Sequence, residues 1–206
     1  MANESRFFGV EEHTDPAFFR GRVLLFLFLA GWGVRFLAGG PDAPVVLESF
    51  MHNVNLPIHE AGHVVFGFFG EMIGIMGGSL MQLLMPALFV VAFLYQRNPF
   101  AATAGLWWLG QNFMDLAPYI GDARAQRLIL LGGITGRDLP GYHDWNAILG
   151  YYNLITYDQI LARISYDIGR MLMVAFLAWG GWLLLMQYRR LPGRSGTPPP
   201  IPPPAG

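Results

Sequence analysis

Two histidines and a glutamate stand together in an otherwise apolar stretch, as His59-Glu60-Ala61-Gly62-His63. On a helix, residues four apart lie one above the other on the same face, so the two imidazoles can hold one metal ion. Glu60 falls on the neighbouring face, where it can take a proton from a water that the ion polarises and pass it to a leaving amine. This H-E-x-x-H arrangement is the ligand pattern of zinc hydrolases, in which three protein ligands leave one position open for water or substrate. Gly62 has no side chain and admits close approach of another helix or an extended substrate. Imidazole and carboxylate groups are costly at membrane depth, so such a cluster in an apolar segment marks a candidate functional site.

The sequence supplies few candidates for the third ligand. It contains no Cys, which excludes thiolate ligands, disulfides and cysteine nucleophiles. Asp115, flanked by Phe113, Met114, Leu116 and Ala117, is the deepest carboxylate outside the motif, and a cation is the simplest partner for it there. It is the leading choice to join His59 and His63 on Zn²⁺. Asp122, seven positions on and nearly on the same helical face, and His143, in a polar loop beside Asp144, are alternatives, with Glu71 behind them. Gln82 and Asn112 can hydrogen-bond a ligand or a substrate backbone. His13 and His52 read as ordinary exposed residues, and Asp122 also has Arg124 and Arg127 within reach as ion-pair partners.

These residues must be positioned by helices. The 206 residues are 53% hydrophobic and only 13% charged, about half the charge of an average soluble domain, with a mean hydropathy of +0.38. The expected fold is all-α, a polytopic membrane bundle of about five transmembrane helices. Residues 1–20 form a polar N-terminal tail, 21–188 the transmembrane domain with the metal site, and 189–206 a Pro-rich, disordered C-terminal tail. The apolar run from Val23 to Ala38 begins after Arg20 and Arg22 and has no small-x-small cleavage site, so it reads as a retained span rather than a signal peptide. A second span is expected from Asn55, as N-cap, to Met76, broken by Gly77-Gly78. Further spans are expected over Ser79–Tyr95, Phe100–Ile120 and 170–187, each near the ~20 residues a bilayer requires. The Tyr-rich stretch Trp145–Ile164 reads as an interfacial helix or a short extra span. Arginine placement puts the N-terminus and the 121–168 loop on the cytoplasmic side, but Arg189, Arg190 and Arg194 then conflict with five crossings. A net charge of −1 gives no case for nucleic acid. The lipid bilayer and a membrane protein or peptide substrate are the expected partners, and a bacterial inner membrane the expected location.

On His59, Glu60, Gly62 and His63 in an apolar helix, with a later embedded Asp, the chain resembles the site-2 protease family of intramembrane zinc metalloproteases. The resemblance covers about residues 55–122. It implies His59 and His63 as zinc ligands, Glu60 as catalytic base, and an Asp of a later helix as third ligand. The family's later motif is Leu-Asp-Gly or Asn-Pro-Asp-Gly, whereas this chain has Phe113-Met114-Asp115-Leu116 and Ile120-Gly121-Asp122. A non-catalytic metal-binding membrane protein, or a small transporter or proton relay built on the same His/Glu/Asp cluster, are the alternatives.

Overall fold

The computed structural model describes Gly9 and residues 15–40 and 44–192, and it is all-α, with no strand among them. The polar tail up to residue 14 apart from Gly9, including His13, lies outside the described residues, as do residues 41–43 and the Pro-rich tail beyond 192. The helices are α1 (Pro16–Leu37), α2 (Pro44–Leu47), α3 (Phe50–Gly67), α4 (Glu71–Tyr95), α5 (Pro99–Gly121), α6 (Asp144–Tyr151) and α7 (Asp158–Arg189), with a 3₁₀ turn at Ile155–Tyr157. Short polar side chains start several of them. Asp15 accepts from the N–H groups of Ala17 and Phe18, Ser49 from that of Met51, and Asn98 from that of Ala101.

Among the described residues, three helices are long and apolar enough to cross a membrane: α1, α4 and the stretch Ile155–Arg189 that contains α7. Their outer faces carry exposed Leu24, Phe28, Leu88, Val91, Met171 and Val174, apolar surface that lipid would cover. The sequence reading expected about five spans. The difference lies in α3 and α5, whose apolar character is diluted by Asn55, His59, Glu60 and His63 and by Gln111, Asn112 and Asp115.

Helix α5 is the central post, buried along nearly its whole length between α4 and α7. It meets α7 where two glycines face each other: a Cβ on Gly169 would lie 2.5 Å from the Gly110 carbonyl and 2.6 Å from Met114 Cγ. Only backbone fits there. Gly169→Ala should therefore destabilise the bundle by about 1–3 kcal/mol, read as a lowered midpoint of thermal unfolding in detergent.

The contacts also fix helix direction. Phe19 stacks near Tyr188 and Phe26 near Phe176, so α1 and α7 are antiparallel. Gly110 against Gly169 and Gly121 against Ala162 make α5 and α7 antiparallel, and Gly105 against Val90 with Asp115 against Gln82 does the same for α4 and α5. Helix α1 therefore ends, and α4 begins, at the same end of the bundle; α2 and α3 leave that end and return to it. Arg20, Arg22, Arg189 and Arg190 share the opposite end. Arg189 and Arg190 thus join Arg20 and Arg22, while the 122–143 loop, with Arg124, Arg127 and Arg137, lies at the other end rather than beside the N-terminus as expected; Arg194 lies outside the described residues.

Helix boundaries depart from expectation where glycines were taken as breaks. Helix α3 starts at Phe50, five residues before Asn55, from its Ser49 cap, which buries Asn55 inside the helix and leaves Pro57 in its middle. The chain turns at Phe68–Gly70, where Gly70 has φ 116°, a region open to glycine. Gly77 and Gly78 lie inside α4, and their function is contact: a Cβ on Gly62 would strike the Gly77 carbonyl, so α3 and α4 touch backbone to backbone. The Tyr-rich stretch divides into α6, the 3₁₀ turn and the start of α7, which is far longer than expected.

Candidate metal centre

The close approach of α3 and α4 puts His59 and His63 in a slot whose floor is Gly78. Their rings are 4.9 Å apart at an interplanar angle of 73°. Behind the rings, His59 Nδ1 lies 3.0 Å from Gln82 Oε1 and His63 Nδ1 lies 2.9 Å from the Gly74 carbonyl oxygen. Both of those oxygens can only accept, so both Nδ1 atoms carry a proton and donate it. The two Nε2 atoms then face forward, and both meet Asp144 Oδ2, at 3.0 Å from His59 and 3.2 Å from His63.

Three electron-rich atoms facing one another need positive charge among them. Two protons on the Nε2 atoms would supply it, and so would one divalent cation. Ligand atoms around a tetrahedral zinc ion lie about 3.3 Å apart, given bonds of about 2.0–2.1 Å. The observed separations are close to that value. Two imidazoles whose far nitrogens are anchored by oxygens, together with one carboxylate and no sulfur, form a donor set that fits Zn²⁺. Glu60 groups with the two imidazoles: one ligand atom from each of His59, Glu60 and His63 falls within 4.8 Å of the others. Gly78 leaves the space this requires. A Cβ there would collide with His59 Nε2 and sit 2.6 Å from His63 Nε2.

The carboxylate that faces both imidazoles is Asp144, which the sequence reading named only as the neighbour of His143. It opens α6, 81 positions after His63, and its backbone N–H donates to the Tyr119 hydroxyl at 2.9 Å. Nothing in linear spacing could announce it. The residue before it, His143, is fully buried and serves as the cap of α6, its Nδ1 accepting the Asn146 N–H. The His143 ring lies 4.4 Å from that of Tyr119, and its Nε2 lies 3.4 Å from Asp122 Oδ2 rather than against the motif.

The other candidates fall elsewhere. Asp115 lies behind His59, with Gln82 between them: Oδ1 pairs with His52 Nδ1 at 3.0 Å, and Oδ2 accepts from Asn55 at 2.9 Å and Gln82 at 3.0 Å. Asp122 accepts the backbone N–H groups of Arg127 and Leu128 and so folds the start of the loop. Farther along that loop, Asp138 accepts from Thr135, whose backbone N–H above all holds its carboxyl below the ordinary range. Glu71 is exposed at the start of α4. Asn112 turns back to donate to the Trp108 carbonyl, whereas Gln82 reaches the motif as expected. Tyr119 and His52 are additions that the sequence did not suggest; His52 is half-buried rather than exposed.

A cavity of about 680 Å³ opens onto the centre. Glu60, His63, Asp144 and Tyr119 line its polar side, and Leu56 and Leu130 are part of its apolar wall. That volume lies within the range of sites that take small ligands or short peptide stretches, roughly 300–1,000 Å³. Comparison with family models, with curated proteins and with solved structures finds no match.

Proposed function

We propose that this protein is a membrane-embedded, zinc-dependent endopeptidase that cleaves peptide bonds within or near the bilayer. In this reading α1, α4, α5 and α7 cross the membrane, α2 and α3 form a re-entrant pair, and the protein is a multi-pass component of a bacterial inner membrane. One observation carries the reading: His59 Nε2, His63 Nε2 and Asp144 Oδ2 converge beside an acid, Glu60, at the head of a cavity.

His59, His63 and Asp144 would hold the ion. Bound there, Zn²⁺ supplies Lewis acidity toward a carbonyl and a water. Glu60 takes the proton from the attacking water and delivers it to the departing amine. Tyr119 already accepts the Asp144 N–H, so its own O–H remains to donate to the oxygen that gains charge. The apolar wall keeps bulk water away and strengthens each of these electrostatic contacts. A stretch of extended, apolar peptide suits the cavity.

The test is made on full-length protein in detergent. Wild type should carry zinc by elemental analysis and cleave a panel of apolar membrane peptides in a chelator-sensitive way, and His59→Ala should lose the metal. Unchanged zinc in His59→Ala would overturn the ligand assignment. Stoichiometric zinc without cleavage of any peptide would leave a non-catalytic metal-binding protein. Proton flux in liposomes that is insensitive to chelators would point to a relay instead.

A further inference from the structure

Asp115 is almost wholly buried and lies on the far side of Gln82 from the metal centre. A carboxylate has no proton to give, so each of its three partners must donate to it. That decides which way the Gln82 amide points. Its Nε2 faces Asp115, and its Oε1 is left facing His59 Nδ1. The amide cannot reverse without setting its oxygen against the Asp115 carboxylate. Asn55 braces the arrangement from the other side. Its Nδ2 also donates to Gln111 Oε1 at 2.8 Å, and its Oδ1 accepts from Trp108 Nε1 at 2.9 Å. His63 needs no such brace, because the acceptor behind it is a backbone carbonyl that cannot turn.

We propose that Asp115 is a positioning residue for the metal centre: acting through Gln82, it holds His59 in the tautomer whose Nε2 is free to bind a divalent cation. The proposal rests on the metal site described above but not on peptide hydrolysis. It differs from a role as ligand, because the contribution of Asp115 is an acceptor oxygen and not its charge on the ion. Partners that fix the tautomer and direction of a ligating imidazole typically change metal affinity by about 10–100-fold when removed.

The experiment measures Zn²⁺ affinity of the full-length protein in detergent by competition with a chromophoric chelator. Asp115→Leu should weaken binding by about 10–100-fold. Asp115→Asn should stay close to wild type: the amide oxygen still accepts from Gln82 and Asn55, and its NH₂ faces His52, which can accept in its other tautomer. Gln82→Met should lose as much as Asp115→Leu, and combining the two should add nothing, because both cut one path. Wild-type affinity in Asp115→Leu would overturn the proposal. So would an Asp115→Asn loss equal to that of Asp115→Leu, or losses that add in the double variant. Should Asp115→Leu not fold, Gln82→Met alone decides, since wild-type affinity there leaves the path without a purpose. Failure of wild type itself to take up Zn²⁺ would instead sink the metal-site reading.

Discussion

Alanine at position 78 is expected to leave the bundle folded and the metal centre unable to bind zinc. The added methyl would collide with His59 Nε2 and lie 2.6 Å from His63 Nε2. Helix α4 cannot retreat to make room without giving up the backbone contact of Gly77 with Gly62 and pressing on α5 behind it. The imidazoles must turn instead, and turning breaks their bonds to Gln82 and the Gly74 carbonyl. A loss of about 100-fold or more in zinc affinity follows, at the upper end of what disturbed ligand orientation produces. Far-ultraviolet circular dichroism should be unchanged while elemental analysis finds little zinc. Full zinc content in Gly78→Ala would place the ion somewhere other than between these two nitrogens.

Glu60→Gln is expected to separate binding from turnover. The substitution keeps size and shape and leaves His59, His63 and Asp144 in place, so zinc content should match wild type. The amide cannot take a proton, and loss of a positioned general base costs typically about 10²–10⁴-fold in rate. Cleavage of an apolar membrane peptide by purified protein checks this directly. Wild-type turnover by Glu60→Gln would remove the proposed mechanism, whatever its metal content.

The sequence made part of this architecture readable. The helical class and the apolar faces followed from hydropathy, and the motif spacing placed two imidazoles on one face because α3 is regular through Pro57. Three features could not be read in advance. Gly77-Gly78 look like a break by local propensity, but in α4 they are the surface on which α3 lies, and only the partner helix reveals that. Asp144 sits in a polar, loop-like stretch, and its approach to the motif depends on how α5, the 122–143 loop and α6 fold together. Asp115 stood out as a buried acid in need of a partner. It has three, the side-chain amides of Asn55 and Gln82 and the imidazole of His52. Burial cost was visible in the sequence, while the means of offsetting it was not.

Because Asp144 is made 81 residues after His63, the chain spends much of its synthesis with both imidazoles present and the opposing acid still to come. The three facing groups can therefore come together only after α5, the 122–143 loop and the start of α6 have been made and folded back onto α3.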